Sequence, residues 1–146
     1  MYNRYIYLLE HVMALIVWDS RLATGHGKID EQHQALIEAF NRLHTAMKAG
    51  KGKDEVGGIL VFLKDYTVNH FAMEQELMAK HHYPGEARHK EIHTDLVKQV
   101  AELVQRFQDG TATLTLPVMN FLEDWLTKHI QGEDYRLAEY LRTQGA

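Results

Sequence analysis

The sequence predicts an all-α protein: an antiparallel up-down-up-down four-helix bundle with an N-terminal arm and a short C-terminal helix. Three observations lead there. Apolar residues recur at three- and four-residue steps along four segments, the period of a helix with one buried face. Short breakers carrying glycine or proline separate the segments. Two prolines and ten glycines in 146 residues suit helices better than a loop-rich β protein.

The first segment runs from about Asp30 to Ala49 and stops at Gly50-Lys51-Gly52; its stripe is Leu36, Ile37, Phe40, Leu43 and Met47. The second runs from about Asp54 to Lys80, before Tyr83-Pro84-Gly85, with Val56, Ile59, Leu60, Leu63, Tyr66, Met73 and Leu77 on one face. Gly57-Gly58 inside it reads as a local weak point. The third begins near Pro84, a residue suited to a first helical position, and stops at Gly110. It carries Ile92, Leu96, Val97, Val100, Leu103, Val104 and Phe107. The fourth starts near Thr115, a plausible cap, and runs to about Ile130 with Val118, Phe121, Leu122, Trp125 and Leu126 inward. A last segment after Gly132 carries Leu137, Tyr140 and Leu141. Rods of such length with short connections pack most simply as an antiparallel bundle. Residues 13–29 lack a strong helical pattern and are expected to form an arm across the bundle, anchored by Trp18.

Composition removes several function classes. There is no cysteine, so disulfides, iron–sulfur clusters and thiol catalysis drop out. Sixteen basic against twenty acidic residues leave no basic surplus for nucleic acid. The apolar stretch from Tyr5 to Trp18 is too short, and too polar at Glu10 and His11, to span a membrane or to read as a signal peptide. A cytoplasmic, monomeric protein is expected, with residues 1–12 an N-terminal extension and 13–146 the folded bundle.

Ten histidines are many for this length. His33, His70, His89, His93 and His129 fall on the apolar faces, and Glu74 lies one turn beyond His70. His11, His26, His44, His81 and His82 fall off that inward set, with His81-His82 expected in solvent. One inward histidine is an ordinary core residue with a hydrogen bond. Five with a carboxylate are different, because a buried carboxylate without counter-charge costs several kcal/mol and each imidazole needs partners. A metal cation answers both needs. Imidazole and carboxylate without thiolate suit iron, manganese, zinc, copper or nickel. His89-Lys-Glu-Ile-His93 is not the zinc-protease order, and Glu86-x-x-His89 is the single ferritin-like pair. Asp134 lies five residues after His129, about 140° round an ideal helix. It shares the centre only if the helix bulges or ends near Gly132; on geometry alone Glu133 is the better one-turn neighbour.

The set His33 in Ile-Asp-Glu-Gln-His, His70-Phe-Ala-Met-Glu74, Tyr83-Pro-Gly with His89-x-x-x-His93, and Trp125-Leu-x-x-His129-Ile-x-x-x-Asp134 resembles the hemerythrin family. The resemblance covers Trp18 to about Tyr140, fills all seven ligand positions, and selects Asp134 over Glu133. It implies a hemerythrin-like di-iron bundle over residues 13–146. One iron takes His89, His93 and His129, and the other takes His33 and His70. Glu74, Asp134 and an oxo or hydroxo group bridge the two irons. Twelve octahedral positions less five imidazoles, four carboxylate oxygens and the doubly counted bridge leave one, on the two-histidine iron. The resemblance thus implies reversible dioxygen binding for storage, delivery or sensing, in an apolar pocket walled by Trp125, Leu126 and Ile130, and no catalytic residues. The alternatives are a di-iron redox enzyme (a peroxidase, an oxidase or one reactive toward nitric oxide), a sensor acting on a partner in trans, or a structural bundle around zinc.

Overall fold

The computed structural model describes residues 16–110 and 116–146, with side chains from 119 onward in the second stretch. The extension 1–12, the cap at Thr115 and the side chain of Val118 lie outside the described residues. The elements are α1 (Gly27–Lys48), α2 (Lys53–Lys80), α3 (Glu86–Gln108), α4 (Leu116–His129), a π-helical turn (Ile130–Asp134) and α5 (Tyr135–Thr143). No strand occurs among the described residues. The helices alternate in direction, as the short connections require.

Local chemistry sets the boundaries. α1 starts three residues before the expected Asp30, because His26 caps it: its Nδ1 accepts from the Ile29 amide at 3.3 Å. Asp30 reaches back and accepts from the Thr24 amide (2.8 Å) and hydroxyl (2.7 Å), tying the arm to the first turn. Pro84 is not the first helical residue; it sits in the turn before Gly85, the cap of α3. α2 ends with His82 in the left-handed region (φ 53°), where Tyr83 N donates to Met78 O at 2.9 Å and closes the last turn.

The arm from residue 16 to 26 is non-helical and docked, as expected, but Trp18 is only partly buried. Its anchors are Ile16 and Leu22, both buried. Asn41 clamps Ile16 with two 2.9 Å hydrogen bonds, accepting from its amide and donating to its carbonyl.

Two apolar clusters fill the bundle. The larger contains Leu36, Phe40, Leu43, Leu60, Leu63, Val100, Val104, Leu122 and Leu126 among others. The smaller joins Ile29, Met73 and Met78 to Leu137, Ala138 and Leu141 of α5. Reading along α1, Ile29 belongs to the smaller cluster and Leu36 to the larger, with His33 between them. A polar layer therefore lies between two apolar ones. Phe121, expected inward, is 43% exposed, while Leu122, Trp125 and Leu126 are buried. The buried face of α4 is narrower than its apolar content. His44, expected off the inward set, is buried on α1.

The adjacent glycines of α2 differ. A Cβ at Gly57 would meet Phe107 Cε1 at 3.3 Å, so this glycine allows α3's aromatic ring to come close. Gly58 is exposed and a Cβ there meets nothing within 4 Å. Gly58→Ala is expected to stabilise by about 0.5–1 kcal/mol through helix propensity, raising Tm by about 1–4 °C. Gly57→Ala should give no such gain. Thermal melts of the two variants side by side check this.

Candidate metal centre

Each bundle helix contributes imidazole to the polar layer. α1 presents His33, α2 His70, α3 His89 and His93, and α4 His129 in its last turn. His33, His70, His89 and His93 are at most 1% exposed, and His129 is 9% exposed. Two carboxylates join them, Glu74 from α2 and Asp134 from the π turn, both fully buried. All seven expected residues come together.

Asp134 arrives by the bulge that the spacing required. In the π turn, hydrogen bonds span five residues instead of four, which puts residue 134 over residue 129. Asp134 Oδ1 then lies 3.0 Å from His129 Nε2. Glu133, the better neighbour on an ideal helix, points outward, with its carboxylate 3.8 Å from Arg136 Nη1.

The seven residues form two adjoining groups whose ligand atoms lie within 4.8 Å of one another: His89, His93 and His129 with both carboxylates, and His33 and His70 with the same two carboxylates. The carboxylates divide their oxygens between the groups. Glu74 Oε1 is 3.0 Å from His70 Nε2, whereas Oε2 is 3.1 Å from His89 and 3.2 Å from His93. Asp134 Oδ2 is 2.6 Å from His33 and 3.4 Å from His70, whereas Oδ1 is 3.2 Å from His89 and 3.0 Å from His129. Every imidazole turns Nε2 inward.

The chemistry of this donor set asks for cations. Nε2 atoms of His33 and His70 face each other at 3.0 Å, and those of His93 and His129 at 3.2 Å. Lone pairs at that separation repel unless a proton or a metal lies between them. Glu74 Oε1 and Asp134 Oδ1 are buried without an aligned hydrogen bond despite imidazoles 3 Å away. Without metal, protons must neutralise the site. Burial disfavours the His70 imidazolium, yet hydrogen bonds to Asp134 and Glu74 outweigh it and raise the pKa to about 9; His89 behaves alike. Burial and the Asp134 charge push Glu74 up, but hydrogen bonds from His70, His89 and His93 bring it down to about 2. Burial also opposes ionisation of Asp134, and the surrounding imidazoles still hold it well below the usual carboxylate range. Both carboxylates are thus ionised and held by cations. A divalent cation at each group would answer the same need, and these seven residues are the ones that could hold it.

The expected pocket residues are buried: Trp125 8%, Leu126 3% and Ile130 1% exposed. Phe71, which the spacing of polar residues does not single out, lies against His70, His93 and His129. It stacks on His93 (ring centroids 3.7 Å, planes 4° apart) and meets His129 edge-on at 5.3 Å. Its signal was available: Leu60, Leu63, Thr67, Phe71, Glu74 and Met78 step by three and four along the buried face of α2. Tyr83 meets His89 edge-on at 6.4 Å.

A buried two-group site of imidazoles and shared carboxylates inside four helices defines a dimetal-binding bundle. The family described as Hemerythrin HHE cation binding domain matches residues 24–141. The chain is 39% identical over 130 residues to a bacteriohemerythrin of Stenotrophomonas maltophilia, covering 89% of this chain and 84% of that protein. It is 36% identical over 123 residues to one of Methylococcus capsulatus, covering 84% and 93%. A crystal structure of wild-type hemerythrin superposes with a TM-score of 0.81 at 35% identity, covering 88% of this chain and 98% of that one. The chain belongs to the hemerythrin family, and is accordingly a di-iron, oxygen-binding protein rather than a catalyst.

Proposed function

We propose that this chain binds dioxygen reversibly at two irons held by His89, His93 and His129 on one side and by His33 and His70 on the other, with Glu74 and Asp134 bridging. One observation carries the reading: each carboxylate sends one oxygen to each histidine group. A single metal would leave one oxygen of each carboxylate without a cation. The three-against-two division of imidazoles leaves the two-histidine side poorer in protein ligands, and the exogenous ligand belongs there. When bound, two ferrous ions supply the two electrons that hold dioxygen.

The protein's own part is enclosure. Trp125, Leu126 and Ile130 are buried on the turns flanking His129, and Phe71 stacks on His93. Such walls admit an apolar diatomic and limit the water and protons that promote its loss in reduced form. Leu126→Ala opens that wall while leaving all seven ligands in place. It should retain two irons and autoxidise several-fold faster, by absorption decay in air-saturated buffer; an unchanged lifetime would remove the shielding role.

Residues 13–146 make up this di-iron unit, with 1–12 an added extension. We read the chain as a cytoplasmic monomer: no described helix is long and apolar enough to cross a membrane, and of the described large apolar residues at the surface Phe62, Val68, Phe121 and Tyr135 are 42–45% exposed and Val17, in the arm, is 74% exposed. The central experiment loads the protein anaerobically with ferrous iron, exposes it to air and purges it with inert gas. Charge-transfer bands that rise with oxygen and fade on purging, at two irons per chain, support a carrier or store. Bands that persist would shift the reading to a redox enzyme.

A further inference from the structure

Among the ligating imidazoles, the outward nitrogens are not treated alike. The Nδ1 atoms of His33, His89 and His93 are buried without a hydrogen-bond partner. His70 Nδ1 instead lies 2.7 Å from Gln32 Oε1. Gln32 sits on α1, immediately before His33, and is half-buried. Two consecutive α1 residues therefore serve the same side of the centre, His33 as a ligand and Gln32 as a support for the ligand on the facing helix.

We infer that Gln32 is a positioning residue that tunes the two-histidine iron through His70. The inference rests on the ligand reading above. The amide oxygen of glutamine can only accept, so the proton of His70 sits on Nδ1. When a metal displaces the second proton of the imidazolium, Nε2 is left with its lone pair, and Nε2 is the atom that faces Glu74 at 3.0 Å and Asp134 at 3.4 Å. The bond fixes both the tautomer and the ring rotation. It also draws the Nδ1 proton outward, which makes the imidazole a stronger donor. His33, on the same side, has no such support, so His70 is the adjustable ligand of the iron that carries the open position. A stronger donor there favours the ferric state over the ferrous one.

Two near-isosteric changes test this on the full chain. Gln32→Glu replaces the amide by a carboxylate, a stronger acceptor for the same N–H. Gln32→Leu keeps the bulk and removes the acceptor. The readout is the midpoint potential of the iron-loaded protein by spectroelectrochemistry, with iron stoichiometry and affinity by chelator competition. The potential is expected to rise in the order Glu, Gln, Leu, and each tenfold change in the ferric-to-ferrous affinity ratio moves it by ~59 mV for one electron. Ferrous affinity of Gln32→Leu should fall about 10–100-fold. Packing alone would disturb both variants in the same direction, so opposite shifts exclude a merely structural role.

If Gln32→Leu does not load fully with iron, the zinc-loaded protein gives a second reading. Its His70 Nδ1 proton should be slow to exchange in wild type and Gln32→Glu, and fast in Gln32→Leu. Equal potentials in all three proteins, or equal proton exchange, would overturn the inference. Wild-type protein that binds fewer than two irons would instead overturn the ligand reading beneath it.

Discussion

Asp134→Ala is expected to abolish binding of two irons, whereas Glu133→Ala should leave it intact. The two side chains are neighbours of the same chemical type, and only the backbone distinguishes them. The π turn over Ile130–Asp134 aims residue 134 into the layer and residue 133 at Arg136. Asp134 touches both histidine groups, with Oδ1 toward His89 and His129 and Oδ2 toward His33 and His70. On the proposed ligand set, its loss would remove one ligand from each metal, together with one of the two buried carboxylates. Residues that merely support a ligand are worth about 10–100-fold in metal affinity, so a bridging ligand should exceed that. Iron per chain is expected to fall from two to one or none. The metal-free Asp134→Ala protein should still fold, because the imidazoles can turn neutral once the carboxylate they hold is gone. Circular dichroism and iron analysis of both variants check the pair. Two irons retained in Asp134→Ala would remove Asp134 from the centre.

The same turn marks where sequence reasoning stopped. Helical periodicity placed His33, His70, Glu74, His89, His93 and His129 on one layer because each lies in a regular helix, where three- and four-residue steps map onto one face. Asp134 departs from that rule by one residue. Periodicity shows that a bulge is needed without showing that it forms; the resemblance chose Asp134, and the π hydrogen bonds explain how. Phe121 was misplaced because apolar content does not measure how narrow a buried face is. His44 was misplaced for the opposite reason, since a polar residue beside Leu43 can be covered by neighbouring chain. Gln32 was invisible to periodicity: its partner is on another helix, and nothing in a single helix's pattern reports a contact across two.

Chelating the iron should lower Tm by about 8–16 °C. The layer that holds the metals separates the larger apolar cluster from the smaller one that joins α5 to the bundle. In the metal-free state, adjacent imidazole nitrogens stand 3.0 and 3.2 Å apart with protons as the available bridge. Two carboxylates remain fully buried. On the proposed ligand set, metal binding would replace this arrangement by bonds that tie all four bundle helices to the π turn. A ligand that binds the native state alone, present at a thousandfold its Kd, stabilises by about 4 kcal/mol. For a chain near this size, each kcal/mol shifts Tm by about 2–4 °C, which sets the expected range. Calorimetry of iron-loaded and chelated samples measures it. Hydrogen exchange should place the largest loss of protection around His129, the π turn and α5, because the π turn carries Asp134 and leads directly into α5. An unchanged Tm would mean that the two apolar clusters hold the helices by themselves and that the metals occupy a site already rigid without them.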